Sequence, residues 1–346
     1  MDKGDVEVIM VKIDIISGFL GAGKTTLIKK LLQDAFKGQQ VVLIENEFGE
    51  IGIDGGFLKD AGIEIKEMNS GCICCSLVGD FGTALKEVVE KYHPDRIVIE
   101  PSGVGKLSDV IHAVENLHLE ADGEVKLNSA VTVVDVLKCK MYLKNFGEFF
   151  KNQVEAAGTI ILSRTDTKKA TPEKIEAAIE LIRELNPDAT IITTPVEDLG
   201  GQKILDTIEG MKIDLSHVEE DHDHDDHEHH HDHGEGCTCG CHDHEGHHHH
   251  HHHADEVFTS WGRETIKKYT REGLEKMLEA LSASEDYGII LRAKGMLPAE
   301  DGTWIYFDMV PEETEIREGA PEYTGRLCVI GSKLKEDKLA ELFGLA

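Results

Sequence analysis

No eighteen consecutive residues of this sequence are free of charge, so no segment reads as a membrane-spanning helix. Basic charge is scarce: 36 Lys and Arg against 66 Asp and Glu give a formal net charge of −30 at pH 7. A field of that sign repels phosphate backbones and argues against a general nucleic-acid binder. The opening Met-Asp-Lys-Gly-Asp-Val-Glu lacks the basic-then-apolar layout of a secretory signal. The expectation is a cytoplasmic chain with neither membrane nor nucleic acid among its partners. The eight cysteines lack the dispersed spacing of a disulfide framework. Six fall in Cys72-Ile-Cys74-Cys75 and Cys237-Thr-Cys239-Gly-Cys241, with Cys139 and Cys328 alone, a spacing better suited to metal. A clean thioredoxin motif is also missing, because Cys74 interrupts the Cys72–Cys75 pair.

The most local absence divides the chain. From Val218 to Asp255 there is no Lys, Arg, Ile or Leu, while sixteen of the twenty histidines fall in that interval. Lacking large apolar side chains, it cannot offset the entropy of ordering and is expected to be disordered without metal. The 346 residues suit about two domains at ~150 residues each. The boundaries follow: a nucleotide-binding domain over 1–216, a disordered His/Asp/Glu-rich linker over 217–254, and a second domain over 255–346.

Short β-branched runs alternate with amphipathic stretches in the first body. Strands are expected at Val11–Ser17, Val41–Glu45, Ile63–Met68, Arg96–Glu100, Ala130–Asp135, Thr159–Ser163 and Thr190–Thr193. Helices are expected at Thr25–Phe36, Leu77–Tyr92, Leu107–Asn116 and Pro172–Leu185. That alternation predicts an α/β fold, a mostly parallel sheet with helices on both faces. The second body reads as α+β, with strands near Val257–Trp261, Gly288–Lys294, Thr303–Val310 and Arg326–Ile330, and helices at Arg271–Ser282 and Leu334–Phe343.

Gly18-Phe-Leu-Gly21-Ala22-Gly23-Lys24-Thr25 matches G-x-x-x-x-G-K-[ST] between an expected strand and an expected helix. Its backbone N–H groups, continuing to Thr26, can turn onto phosphates. Lys24 can neutralise the β/γ oxygens and the Thr25 hydroxyl can hold Mg²⁺. The loops after the other parallel strands fall on the same edge of the sheet. Glu100-Pro-Ser-Gly103 offers an acid for Mg²⁺ and an N–H to sense the γ-phosphate; the bland alternative is a helix-opening turn. Asp166 in Ser163-Arg164-Thr165-Asp166 can accept both N1–H and N2–H of guanine, or simply cap a helix. Cys72, Cys74 and Cys75 could supply thiolates for tetrahedral Zn²⁺ or Co²⁺, with redox and structural roles as alternatives. The histidine tract suits weak, fast-exchanging metal binding, or is a solvated spacer.

Together these residues resemble the CobW-type branch of the P-loop GTPases. The resemblance rests on Gly18–Thr25, Glu45-Asn-Glu-Phe-Gly-Glu50, Gly71-Cys-Ile-Cys-Cys75, Glu100–Gly103 and Ser163–Asp166. Arg292-Ala-Lys-Gly295 and Arg326–Gly331 are similar to the family's C-terminal domain. It implies a P-loop GTPase that hydrolyses GTP and delivers zinc or cobalt to a client metalloprotein or metal-cofactor enzyme. Lys24, Thr25 and Glu100 would then be the catalytic and Mg²⁺ residues, Cys72, Cys74 and Cys75 the metal motif, and Glu45 to Glu50 part of the first switch. The base loop departs from the usual Asn-Lys-x-Asp, with Ser163 and Arg164 in the first two places and an amide contact to the base lost. Alternatives are a nickel-insertion accessory GTPase, a metal-buffering protein that works through the tract, and a small-metabolite kinase.

Overall fold

The computed structural model describes residues 9–46, 64–68, 78–116, 123–211, 213, 215, 218 and 254–346. The expected 217–254 linker falls outside them except for Val218 and Ala254, as do Glu47 to Glu50 and the whole Gly71–Cys75 motif.

The first body is built on a seven-stranded parallel sheet of order β3-β2-β4-β1-β5-β6-β7. Its strands are β1 (Ile9–Gly18), β2 (Val41–Asn46), β3 (Glu64–Met68), β4 (Arg96–Glu100), β5 (Gly123–Asp135), β6 (Thr159–Ser163) and β7 (Thr190–Ile192). β4 and β6 read as near-continuous apolar runs because helices cover both faces of the sheet. One apolar cluster gathers Ile13, Ile15, Ile97, Ile99 and Leu162, and the other gathers Ile16, Leu27, Leu31, Leu43, Val98 and Ile161. Alternate residues along β1 and β4 therefore serve opposite layers, as the two-residue period of a strand requires. The helices are α1 (Lys24–Asp34), α2 (Val78–Tyr92), α3 (Leu107–Glu115), α4 (Cys139–Glu155), α5 (Pro172–Leu185), α6 (Val196–Leu199) and α7 (Gly201–Ile208).

All the expected strands and helices of this body are present, most within a few residues, though β5 begins at Gly123, seven residues before the expected Ala130. α4, α6 and α7 were not anticipated. α4 carries Gly147 and a non-helical Phe146 (φ −140°, ψ 40°) at its kink, and this breaks its amphipathic period. Its buried face is largely aromatic (Tyr142, Phe146, Phe149 and Phe150).

The second body begins with α8 (Ala254–Val257) and a five-stranded sheet of order β11-β10-β9-β12-β8. Its strands are β8 (Thr259–Thr265), β9 (Ile289–Pro298), β10 (Trp304–Val310), β11 (Glu313–Gly319) and β12 (Gly325–Ser332), all paired antiparallel. Helices α9 (Arg271–Ala283) and α10 (Glu336–Phe343) supply Leu274, Leu278, Leu281, Leu339 and Phe343, which pack with Trp261, Leu297, Phe307 and Val329 of the sheet. The Thr270 hydroxyl caps α9 by accepting from the Gly273 N–H at 3.0 Å. β11 was not anticipated because Glu-Thr-Glu-Ile-Arg-Glu-Gly is mostly charged, as suits an exposed edge strand.

The two bodies share apolar surface. Phe258, Leu291, Cys328 and Ile330 of the second belong to the same buried cluster as Phe19, Phe146 and Phe149 of the first. The Phe258 ring stands 5.0 Å from Phe149, 5.2 Å from Phe146 and 6.3 Å from Phe19, centroid to centroid. Among the described residues, no helix is long and apolar enough to cross a membrane.

Candidate nucleotide site

β1 ends at Gly18 and α1 begins at Lys24, so the glycine-rich turn sits between strand and helix as its motif requires. Gly18, Gly21 and Gly23 have φ of 140°, 69° and 106°, values that side chains other than glycine rarely adopt. Gly23 takes the N-cap position of α1 with no side-chain cap, leaving the first N–H groups of the helix to face an anion. Ala22 is buried beside this turn.

Lys24, only 7% exposed, donates to the Gly18 carbonyl at 2.9 Å and to the Phe19 carbonyl at 3.4 Å. Its Nζ lies 3.9 Å from Glu100 Oε1, and the Thr25 hydroxyl donates to the same Oε1 at 3.5 Å. Thr25 and Glu100 thus present neighbouring hard oxygen donors, a donor set that suits Mg²⁺. Thr26 follows on the first turn of α1.

Register places the partner loops. Glu100 of β4 is level with Glu45 of β2, and Asn46 of β2 is level with Met68 of β3. All three strands run parallel to β1, so the chain leaves each of them on the edge that carries the Gly18–Thr25 loop. Gly103 reaches that loop directly: a Cβ on it would come 2.9 Å from the Leu20 backbone nitrogen. Behind Gly103, the fully buried Gln153 of α4 donates to the carbonyls of Gly103 (3.2 Å) and Gly105 (2.8 Å). Tyr142, also on α4, donates to the Leu20 carbonyl at 3.3 Å, and burial pushes its phenol well above the usual range. The Phe19 ring packs, tilted by 33°, with its centroid 4.3 Å from that of Tyr142. Gln153 and Tyr142 were missed because their helix was missed.

The 163–166 loop replaces its missing amide and lysine with a different network. Arg164 adopts φ 61°, a left-handed conformation costing on the order of 1 kcal/mol for a residue with a Cβ. Its guanidinium donates to Asp135 Oδ2 at the end of β5 (2.8 Å) and to the Gly21 carbonyl (2.8 Å). It also pairs with Glu313 of the second body at 2.7 Å. Burial alone would lower the pKa of this guanidinium, but Asp135 and Glu313 outweigh it and hold the charge. Nearby, burial lowers the Lys138 ammonium, with Asp135 acting against the shift. Asp166 is exposed at the tip of the loop. The following residue secures the turn, Thr167 donating to the Arg164 carbonyl through N–H (3.2 Å) and Oγ1 (2.9 Å). The site therefore gathers Gly18, Gly21, Ala22, Gly23, Lys24, Thr25, Thr26, Glu100 and Gly103 at one sheet edge, with Asp166 on the neighbouring β6 loop. Cys72, Cys74 and Cys75 lie outside the described residues.

This arrangement is that of a P-loop GTPase domain, and comparison with known proteins agrees. Residues 12–193 match the CobW/HypB/UreG nucleotide-binding domain, and 258–345 match the cobalamin synthesis protein cobW C-terminal domain. The chain belongs to the CobW/HypB/UreG family. A zinc chaperone CobW of a Sinorhizobium species is 37% identical over 180 residues, 44% of this chain and 50% of the relative. A zinc-regulated GTPase metalloprotein activator 1 of Schizosaccharomyces pombe is 27% identical over 321 residues, covering 88% and 76%. The crystal structure of zinc-bound YjiA GTPase from Escherichia coli superposes with TM-score 0.41 at 22% identity, covering 98% of this chain and 99% of that one. The chain spans about half the length of the first curated relatives it matches.

Proposed function

We propose that this chain is a GTP-hydrolysing zinc chaperone that carries the metal on Cys72, Cys74 and Cys75 and delivers it to a client metalloprotein. The observation that carries the reading is the shared edge of the sheet. β3, the last described element before Cys72, Cys74 and Cys75 in the chain, ends at Met68 on the same edge where Lys24, Thr25, Glu100 and Gly103 converge. In this reading the sulfur donor set and the triphosphate site bias each other's occupancy.

In this reading the N–H groups of residues 21–26 and the Lys24 ammonium hold the phosphates. Thr25 and Glu100 hold Mg²⁺, which when bound neutralises charge on the β/γ oxygens. Gly103, backed by Gln153, offers its N–H to the γ-phosphate, so its position differs between GTP and GDP states. Asp166 accepts from guanine N1–H and N2–H. Thiolates accommodate cobalt as well as zinc; the relatives named as zinc chaperones favour zinc. The test is anaerobic isolation with quantification of bound metal and nucleotide. Stoichiometric zinc that disappears when Cys72, Cys74 and Cys75 are changed to Ser, with GTP hydrolysis abolished by Lys24→Ala, supports the reading. Retention of zinc by the triple variant refutes it.

The sixteen histidines of the tract favour one second reading, metal buffering. Deleting 217–254 separates the two: buffering predicts that zinc capacity vanishes with the tract, whereas chaperoning predicts that one tight site remains. The nickel-insertion alternative is disfavoured by the CobW-type second domain at 258–345.

A further inference from the structure

The second body reaches the phosphate loop itself. The turn between β10 and β11 is packed against Gly21: a Cβ on that glycine would meet Val310 Cγ1 at 2.5 Å. Two residues of this turn are acidic, and both face cations of the 163–169 segment. Glu313 pairs with Arg164 at 2.7 Å and Glu312 with Lys169 at 3.5 Å. Glu312 takes φ 71°, and its N–H donates to the Ser282 hydroxyl of α9 at 3.0 Å, which ties the turn to its own domain. Arg164 is where these contacts meet, because the same guanidinium holds Gly21 of the phosphate loop and Asp135 of β5. Its carbonyl anchors the turn that carries Asp166.

We infer that the 310–313 turn of the second domain is a working part of the nucleotide site, with Glu313 a positioning residue that acts through Arg164 on the phosphate loop and the base loop. A polar link from one domain to both loops of a ligand site makes ligand binding and domain docking depend on each other. That dependence is reciprocal by thermodynamic linkage. Nucleotide binding that fixes Gly21 and the base loop favours the docked turn, and loss of the docked turn loosens nucleotide. The inference rests on the nucleotide half of the proposed function and not on its metal half.

The test uses the full chain and a fluorescent GDP analogue. Binding by the unaltered chain checks the nucleotide reading by itself; Glu313 variants check the inference. Because Glu313 is half exposed, Glu313→Gln is expected to raise the GDP dissociation constant and the KM for GTP by about 2–5-fold, the range of a partly exposed pair. kcat should be little changed. Glu313→Lys, which sets like charges face to face, should have the larger effect, and Glu313→Asp should recover part of the loss. In an Arg164→Gln background Glu313→Gln should add nothing. Glu318→Gln, at an exposed position on the same strand, should leave binding unaltered. Hydrogen exchange of residues 308–315 should slow on adding GDP to the unaltered chain, and less so in Glu313→Gln. The inference is overturned if Glu313→Gln and Glu313→Lys bind GDP as the unaltered chain does. It is equally overturned if their losses persist undiminished in the Arg164→Gln background, or if nucleotide leaves exchange at 308–315 unchanged.

Discussion

Gly103 and Leu20 touch backbone to side chain and backbone to backbone, closely enough that a methyl group on Gly103 would lie 2.8 Å from Leu20 Cδ2 and 2.9 Å from the Leu20 nitrogen. The loop after β4 and the phosphate loop are therefore in direct mechanical contact. Any movement of Gly103 toward a γ-phosphate is felt at Leu20, and from there at Phe19 and the Tyr142 ring it packs against.

Gly103→Ala tests this contact. The backbone nitrogen of Leu20 cannot swing aside as a side-chain tip could, so one loop must shift. Overpacking of this kind costs about 1–3 kcal/mol. GTP turnover is expected to fall about tenfold or more while circular dichroism stays unaltered, which a single-turnover hydrolysis assay will measure.

Gln153→Leu tests the support behind that loop. The side chain is fully buried and satisfies two carbonyls of the 103–105 turn. Leaving them without a donor is expected to cost about 1–3 kcal/mol by urea denaturation. Hydrolysis should be impaired as well, because Gly103 loses its fixed position.

On β1 before the phosphate loop, Asp14 forms a buried pair with Arg96 of β4, with Asn128 and Ser129 also donating to Asp14 (2.7 and 2.6 Å) and Arg96 reaching Glu209 at 2.7 Å. Removing Asp14 leaves Arg96 with Glu209 as its remaining anion and takes the acceptor from Asn128 and Ser129. Asp14→Ala is expected to lose about 1–3 kcal/mol, read from the denaturation midpoint.

Much of this was legible in the residues. The phosphate loop, Glu100 and Gly103 could be set on one sheet edge because motif spacing and apolar strand runs order them along the chain. Other features rest on contacts distant in sequence. Gln153 acts on a loop some fifty residues earlier, from a helix whose pattern is broken at Phe146. Arg164 reads locally as a loss, the absence of the usual amide and lysine. In the fold its guanidinium meets Asp135, Gly21 and Glu313, which no spacing rule connects. β11 escaped because an edge strand carries charge where a central strand carries apolar residues.

Alkaline pH provides a separate check on the second domain. Burial pushes the Tyr269 phenol up to about 12, and its hydroxyl donates to the Phe343 carbonyl at 3.0 Å. A raised folded-state pKa means this contribution is complete below the ordinary value of about 10 and is lost as pH rises through about 12. Tyr269→Phe should cost about 1 kcal/mol at neutral pH for the lost hydrogen bond. Its melting temperature should then fall less steeply than that of the unaltered chain between those two values.

The central claim is that nucleotide state sets metal affinity, and calorimetric titration of Zn²⁺ tests it most directly. The full chain is titrated with a non-hydrolysable GTP analogue and Mg²⁺ in one series, and with GDP and Mg²⁺ in the other. Coupling of ~1–3 kcal/mol predicts affinity about 5–150-fold tighter in the GTP-like state, a difference that vanishes when Cys72, Cys74 and Cys75 are changed to Ser. Equal zinc affinities in the two nucleotide states would contradict the account.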